Sequence, residues 1–483
     1  MNGAPVASEL RGLPKGVSVS RDPAALQGFA QDSSGRRGAA PRAIVRPKTA
    51  QEVRSLISWA RANTIPLVPV SSSGGPRRRG DTVATQEAVI LDLSDMRRII
   101  HVDGNDALAV IEPGVTFPQL DAALRPHGLR SFRPLVARPT KSVLAAFLER
   151  EPFTVPGRSW DSSDPLAAMQ IILGDGKLFH TGSGALPGTL EENLERGNRP
   201  LLGVGPLHTD FGRVLQGAQG ALGIVTWASI YCQRIPAREQ PLFISAERIE
   251  PLIDVAYALL RRRPGGQLFL VNARQLAMLF ASAAEDVDRI AKSLPAWVLY
   301  FEVSAPDYFA DEAMAFQIAD LESDGDRAGA RISDRLGSIV ASDVRIRQEA
   351  GQLLPCEGAA EIRREVLCLG QLNALPKLLG SLPAGHMERA AIHVQPTVHG
   401  VTAQLALTYI ATRADEGDCD RAARDAAASL AGAGGFFSRP YHPWAELPFA
   451  ADPAIANQLA RVKGFFDPDG ILQPGAQSLG GAK

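Results

Sequence analysis

The sequence has few cysteines, almost no net charge and no long hydrophobic run. Its four cysteines are scattered among 483 residues without a Cys-x-x-Cys pair, which argues against a disulfide framework, a zinc site or an iron–sulfur cluster. The formal net charge of −1 favours neither nucleic acid nor an anionic membrane as a partner. No apolar run approaches the length of a membrane span, and residues 1–20 lack the apolar core of a secretion signal. We therefore expect a cytoplasmic protein.

Glycine and proline, by contrast, are plentiful. The 45 glycines and 35 prolines are typical of many short strands joined by tight loops. The length exceeds that of a single hydrophobic core, so two or three domains are expected.

One stretch combines a short strand with small residues. The run 67–70 is predicted as a buried strand, and Thr49 and Glu52 predict a capped helix before it. The strand ends in residues whose backbone amides can converge on an anion: Val70, Ser71, Ser72, Ser73, Gly74 and Gly75. In α/β sheets, ligands bind at such carboxyl ends. An ordinary surface turn is the alternative.

The pattern of elements changes near residue 236. Before it, strands alternate with short helices, and Gly174-Asp175-Gly176 predicts a hairpin. After it, strands and longer helices alternate, with an antiparallel pair expected over residues 390–394 and 402–411. This second block is predicted as an α+β domain around an antiparallel sheet.

Five separate motifs, in this order, resemble the FAD-linked oxidoreductases of the vanillyl-alcohol oxidase / p-cresol methylhydroxylase family. They lie at residues 68–75, 111–117, 175–187, 217–226 and 466–475. The resemblance covers almost the whole chain and implies an α+β fold. It implies a two-subdomain FAD-binding domain of the p-cresol methylhydroxylase (PCMH) type over 1–236 and an α+β cap, or substrate, domain over 237–430, with a large antiparallel sheet over the flavin. Residues 431–483 would return to the FAD domain.

The resemblance implies FAD as the cofactor. It assigns the cofactor contacts to Val70, Ser71, Ser72, Ser73, Gly74, Gly75, Thr154, Gly157, Gly217, Gly220, Gly223, Ile224, Val225 and Arg439. No histidine follows Gly75, and Ala391 stands where a cap histidine would tether the flavin, so we expect non-covalent binding. A shifted tether through His393 is the alternative.

The resemblance also points to catalytic residues. Asp161 falls where the vanillyl-alcohol oxidase branch keeps an aspartate beside flavin N5, although Asp-x-x-Asp-Pro is also good turn chemistry. Arg439 resembles the arginine near the flavin and the substrate oxygen, with a surface loop arginine as the alternative. Phe117 and Ser438 stand where phenol-oxidising members have tyrosines, so Tyr441 is the candidate to replace their hydroxyls.

His393 and His399 form a further candidate group. Some relatives hold a metal with two histidines here, but their spacing and Gly-Asp-Gly core are absent, so no metal is predicted. A substrate contact by His393 is expected, with a plain core histidine as the alternative. The run Arg77-Arg78-Arg79 fits either an acidic ligand or a solvated surface.

The predicted function is hydride transfer from a small alcohol or hydroxy acid, aromatic ones included, to flavin N5. The electron acceptor is either oxygen or a separate partner, and a homodimer is an expectation from the resemblance alone. A 4-alkylphenol or vanillyl-alcohol-type oxidase or methylhydroxylase is the alternative within the enzyme class. A non-catalytic flavin-binding subunit is the alternative outside it.

Overall fold

The structure of the chain is a computed structural model. It describes residues 10–32, 38–75, 77, 88–156, 165–205, 210–262, 265–358, 362–397, 402–439, 441, 444 and 446–474. Among these residues, no helix is both long and apolar enough to cross a bilayer.

The first subdomain is a small sheet flanked by two helices. Its elements are β1 (Ser18–Ser20), α1 (Pro23–Gln27), β2 (Ala43–Arg46), α2 (Ala50–Asn63), β3 (Leu67–Val70) and β4 (Val89–Asp92). The strand order is β1-β2-β4-β3, with β2 and β3 parallel to β4. Thr49 caps α2 as predicted, accepting from the Glu52 N–H, while the Glu52 carboxylate accepts from the Lys48 N–H. The serine/glycine turn therefore follows the carboxyl end of a parallel strand.

The second subdomain is an antiparallel sheet with the strand order β5-β6-β10-β8-β9. Its elements are β5 (Ile99–Asp103), β6 (Leu108–Ile111), α3 (Phe117–Leu124), β7 (Leu129–Arg130), α4 (Val143–Leu148), β8 (Leu166–Ile172), β9 (Leu178–His180), α5 (Leu190–Glu195), α6 (Phe211–Leu215), β10 (Ile224–Tyr231) and β11 (Gln233–Arg234). The predicted hairpin is confirmed as β8 and β9. One face of the sheet buries its apolar residues under α3 and α4.

The cap is built on a seven-stranded antiparallel sheet of order β15-β12-β14-β13-β19-β20-β18. Its elements are β12 (Arg238–Ala246), α7 (Ile249–Arg262), β13 (Leu268–Asn272), α8 (Ala273–Phe280), α9 (Asp286–Ala291), β14 (Trp297–Ala305), α10 (Ala310–Ala328), β15 (Arg331–Ser333), β16 (Arg335–Leu336), β17 (Ile339–Val340), α11 (Ala341–Glu349), β18 (Ile362–Gly370), α12 (Leu375–Gly380), α13 (His386–Arg389), β19 (Ala391–Pro396), β20 (Ala403–Ala411) and α14 (Glu416–Gly432). The predicted antiparallel pair is confirmed as β19 and β20.

The two faces of the cap sheet have different partners. One face packs its apolar side chains, among them Ile392 and Val394, under α7, α10, α12 and α14. Because side chains alternate along a strand, His393 and Gln395 lie on the opposite face. Helices α8 and α11 cover this opposite face over β12, β14 and β13, so the part of it that carries polar side chains lies on β18, β19 and β20.

The C-terminal segment crosses back to the first subdomain. It contains α15 (Leu447–Ala451) and α16 (Pro453–Phe466), and beyond them Leu472 bridges Leu67 of β3 in parallel. The Leu67 N–H donates to Ile471 O at 2.8 Å, and the Gln473 N–H donates to Leu67 O at 2.8 Å. Strand β3, which carries the serine/glycine turn, is thereby held on its free edge.

Candidate active site

The serine/glycine turn packs against the entry to helix α4. Ser72 is buried, and its Oγ accepts from the Ser142 N–H at 3.0 Å. The Ser73 N–H donates to Thr140 O at 3.2 Å, so that amide is already engaged within the protein. Gly74 has a φ of +67°, which suits glycine, and a Cβ there would contact Thr140. The turn is therefore a fixed loop.

A second loop of small residues faces the turn from the end of helix α6. Gly217 and Gly220 have φ values of +72° and +76°, and a Cβ on Gly220 would lie 2.2 Å from Pro69 Cγ. Gln219 adopts φ +53°, a left-handed conformation that is uncommon for a residue with a side chain. A Cβ on Gly223 would lie 2.5 Å from Ile171 Cγ2. The backbone of this loop thus passes so close to neighbouring side chains that only glycine fits at positions 220 and 223.

These two loops enclose a cavity between the subdomains. It is lined by Val70 and Ser71 from the turn, by residues 218–220 and 222–225 from the second loop, and by Leu148 and Glu149 from α4. Walls of small residues leave main-chain groups accessible to a cofactor, and main-chain amides can hold a pyrophosphate. The residues present therefore fit the nucleotide part of FAD.

Two polar side chains from the C-terminal segment meet at Glu149, on the wall of this cavity. Arg439 is 5% exposed, and its Nη1 donates to the Glu149 carbonyl oxygen at 2.9 Å. The Tyr441 hydroxyl, also buried, donates to Glu149 Oε2. Arg439 and Tyr441, predicted independently from the sequence, are thus brought together by a residue that the sequence reasoning did not single out.

The environment of Glu149 favours its neutral form. Removal of the carboxyl group from water raises the pKa of Glu149, although the hydrogen bond from Tyr441 and the charges of Lys141 and Arg439 act in the opposite direction. The residue keeps partial exposure because it lines the cavity. Lys141 is itself buried and pairs with Glu151 at 3.0 Å. Perturbed carboxyl groups in a cleft are typical of functional sites.

The cap contributes a polar surface on strands β18, β19 and β20. We call it the cap polar face, and its members are Arg363, Glu365, His393, Gln395, Gln404 and Thr408, which share one side of the sheet by strand alternation. The rings of His393 and Phe269 make an edge contact at 5.7 Å. Burial lowers the pKa of His393 to about 4, so its imidazole is neutral at pH 7.

Two contacts fix the cap polar face relative to the FAD-binding domain. At β13, the Leu268 N–H donates to Thr154 O at 2.7 Å. At β18, Leu369 bridges Phe436, shortly before Arg439 and Tyr441 reach Glu149. Strands β19 and β20 lie between β13 and β18, so the cap polar face spans the space between these two attachments.

The other predicted residues have varied placements. Thr154 is buried, and its Oγ1 donates to Arg133 O at 3.3 Å, while its carbonyl oxygen accepts from the Leu268 N–H of the cap and so joins the two domains. Arg77 stacks its guanidinium on Phe29 at 3.5 Å and donates to Gly28 O, which gives it a structural contact. Gly157, Asp161, His399, Arg78 and Arg79 lie outside the described residues. Within the described ranges, no group of three or more metal-ligating side chains occurs.

Glu149 had only a weak signal in the sequence. It follows the apolar helix Val143–Leu148 as its C-cap, where a charged residue is ordinary. Its partner Tyr441 is 292 residues away in the chain, so only the fold shows the contact.

Known proteins share parts of this chain and its overall fold. Residues 41–182 match the family described as FAD binding domain. The chain is 29% identical over 245 residues to 1'-carboxy-chondrochloren decarboxylase of Chondromyces crocatus, which covers 49% of this chain and 42% of that protein. It is 24% identical over 248 residues to the mitochondrial D-lactate dehydrogenase [cytochrome] of Arabidopsis thaliana, covering 51% of this chain and 40% of that protein. The matches thus span less than half of the length of these two relatives.

The similarity in structure extends much further than the similarity in sequence. The crystal structure of p-cresol methylhydroxylase with substrate bound superposes with a TM-score of 0.78 at 16% identity, covering 95% of this chain and 93% of that chain. The likeness establishes the fold, in which a FAD-binding domain carries a cap with a large antiparallel sheet. The predicted fold class is confirmed.

Proposed function

We propose that this chain, which belongs to the vanillyl-alcohol oxidase / p-cresol methylhydroxylase family of FAD-binding flavoproteins, is an oxidoreductase acting on the CH–OH group of a small alcohol or hydroxy acid. The observation that carries the proposal is the meeting of Arg439 and Tyr441 at Glu149, on the wall of the glycine-lined cavity. Bound FAD supplies the two-electron oxidation. The backbone of residues 70–75 and 217–225 would hold it.

Side chains from the FAD-binding domain, the cap and the C-terminal segment would bind the substrate and move its proton. Arg439 places a buried positive charge beside Glu149, behind the cavity wall, where it would stabilise negative charge on a substrate oxygen or carboxylate. The Tyr441 hydroxyl donates to Glu149, whose raised pKa favours retention of a proton on its carboxyl group. The neutral imidazole of His393, on the cap polar face, shares a hydrogen bond with Gln395 and offers its Nε2 to the substrate. Asp161 is proposed as the carboxylate that orients the reacting group or takes its proton.

The first experiment asks whether the purified chain contains flavin and whether substrates reduce it. We expect a yellow protein whose flavin absorption is bleached anaerobically by a 2-hydroxy acid, and panels of 2-hydroxy acids and 4-substituted phenols would separate the substrate classes. A colourless protein that takes up no FAD would refute the proposal. A flavin that no member of either panel reduces would favour a non-catalytic flavin-binding subunit.

Asp161→Asn tests the proposed acid–base group. The variant removes the charge with little change of volume, so flavin reduction by the true substrate should slow by about 100-fold or more, the scale of a lost general acid or base. An unchanged rate of reduction would show that Asp161 has another role.

A decarboxylating oxidation is a second candidate, favoured by the relative named a decarboxylase. Arg439 and Arg363, both buried, would supply charge to hold a substrate carboxylate. The two reactions differ in product: decarboxylation releases one carbon dioxide for each flavin reduced, and simple dehydrogenation releases none. Trapping of labelled carbon dioxide in a single turnover separates them.

We also propose non-covalent FAD, a homodimer, a cytoplasmic location, and either oxygen or a separate protein as the electron acceptor. Acid precipitation should release all of the flavin into solution. Light scattering should give twice the mass of the chain. Rapid reoxidation of the reduced flavin in air would identify an oxidase, and slow reoxidation would identify a dehydrogenase with a partner acceptor.

A further inference from the structure

A second cavity lies on the side of the β5–β10 sheet opposite helices α3 and α4. Its volume is about 340 Å³, in the range of small-molecule sites, and it shares no lining residue with the cofactor cavity. Thr226 and Trp227 line it directly after Ile224 and Val225, which line the cofactor cavity. Strand β10 therefore forms part of the wall of both.

One wall of the second cavity is apolar and aromatic, while the rest of its lining is largely polar. Trp227, 6% exposed, packs with Leu108 and Val110 on this face of the sheet. The His180 ring lies 6.0 Å from the indole. Leu178 and Leu186 also line the cavity and are 48% and 40% exposed, so apolar surface continues to its mouth. A ligand with a flat apolar body would cover this surface.

The segment that covers the cavity, residues 183–201, is held in place by hydrogen bonds within the protein. Ser229 Oγ donates to Pro200 O, and the Tyr231 hydroxyl donates to Leu201 O at 3.0 Å. Helix α5 begins with a reciprocal capping box between Thr189 and Glu192. These contacts prevent the segment from collapsing onto Trp227, so the cavity is preformed.

A chain of hydrogen bonds fixes the tautomer of His180. The Thr226 hydroxyl donates to Gln170 Oε1 at 2.7 Å, which turns the Gln170 amide nitrogen toward His180 Nε2 at 2.9 Å. Nε2 must then accept, and the ring proton lies on Nδ1. Burial lowers the pKa of His180, which keeps the ring neutral. Glu112, the buried acid of the lining, pairs with Arg98 at 2.9 Å, and the other acid of the lining, Glu191, is exposed to solvent, so the interior holds no unpaired buried acid.

We propose that this cavity binds a small, flat, uncharged aromatic compound with a carbonyl oxygen. The ring lies against Trp227, and the oxygen accepts from His180 Nδ1–H. The site is separate from the cofactor and substrate sites and does not depend on the proposed reaction.

Calorimetric titration of the FAD-loaded chain with naphthalene-2-carboxamide tests the proposal. We expect saturable binding of one equivalent. His180→Ala should weaken binding about tenfold, because one hydrogen bond is lost. Trp227→Phe, which keeps a smaller ring, should weaken it less, and His127→Ala, at an exposed histidine, should leave it unchanged.

Three results would overturn the proposal. One is no saturable binding by the FAD-loaded chain. Another is binding that neither His180→Ala nor Trp227→Phe weakens. The third is binding that appears only after FAD has been removed, because the cavity would then belong to the cofactor site. The flavin absorption of each variant reports whether the FAD-binding domain has folded.

Discussion

The two sides of the candidate active site are built from different materials. On the cofactor side, glycine lets the main chain pass close to neighbouring side chains, as at Gly220, where a Cβ would lie 2.2 Å from Pro69 Cγ. On the cap side, the sheet presents large polar side chains, including Arg363, Glu365 and His393. The backbone of a strand does not require a particular residue type at these positions. The first side depends on backbone geometry and the second on side-chain chemistry.

This difference predicts different effects of substitutions on the cofactor side and on the cap side. A loop that binds through its amides needs glycine wherever its backbone takes a positive φ or passes close to a neighbour, so geometry restricts its sequence. A sheet face imposes only alternation, so its side chains are free to suit the substrate. Substitutions on the cofactor side should therefore abolish binding of FAD, while substitutions on the cap side should change rates, pH dependence and substrate choice.

The largest expected effect is at Gly220. Gly220→Ala places a methyl group 2.2 Å from Pro69 Cγ in a left-handed conformation, so we expect FAD affinity to fall about 100-fold or more. Gly217→Ala is the matched control, because its φ is also positive but its Cβ would meet nothing closer than 3.8 Å. Backbone strain alone should cost it about fivefold in affinity. Titration of the apo-protein with FAD measures both. Equal losses would mean that close approach at Gly220 is unimportant.

The second-largest effect is expected at Arg439, which lies between the cofactor side and the cap side of the site. Arg439→Ala removes a buried charge and its hydrogen bond to Glu149 O, and we expect anaerobic flavin reduction to slow about 30-fold, the scale of one charged hydrogen bond. Arg439→Lys restores charge without the planar fork and should recover part of the rate. The measurement is stopped-flow reduction at saturating substrate. Equal rates in all three proteins would remove Arg439 from the catalytic group.

Much of the fold could be predicted because its signals are local. The capped helix at Thr49, the β8–β9 hairpin and the β19–β20 pair each have their signal within a few residues. The edge strand Ile362–Gly370 was not predicted. Its apolar residues alternate with Arg363 and Glu365, which pair with each other at 3.6 Å on the opposite face, and such a charged pair in a buried strand has no signature in the hydrophobic pattern.

The site was less predictable, for a physical reason. The glycines at 217, 220 and 223 could be recognised in the sequence, because glycine is needed where φ is positive or where a Cβ would clash, and the structure shows one or both at each position. Glu149 does not, since its function arises from Tyr441 and Arg439, which approach from 290 residues or more along the chain. The roles of Thr154 and Arg77 in joining segments were hidden in the same way.

A smaller effect is expected at His393 on the cap polar face. Its folded pKa of about 4 lies below the ordinary 6.5, so the unfolded chain binds a proton first as the pH falls. Stability from this group is full above pH 6.5 and is lost as the pH falls toward 4. His393→Asn should reduce this loss by about 1 kcal/mol at pH 5.5. Urea unfolding at pH 7.5 and 5.5 measures it, with exposed His127→Asn as control. If the free energy of unfolding falls by the same amount between pH 7.5 and 5.5 in His393→Asn and in the unaltered chain, His393 is not buried as a neutral ring.

The smallest expected effect, at Glu149, has the opposite sign. Its folded pKa is raised above the ordinary 4.5, so above that pH the unfolded chain loses its proton first and stability falls until the folded pKa is passed. Glu149→Gln cannot ionise, and its melting temperature relative to the unaltered chain should therefore rise with pH. Tyr441→Phe removes a donor that favours the carboxylate, so the pH range of the fall should extend upward in that variant. Exposed Glu322→Gln should show neither trend. A relative melting temperature of Glu149→Gln that stays flat or falls with pH would mean that Glu149 is charged, and that the cavity wall carries an Arg439–Glu149 charge pair in place of a neutral proton-holding pair.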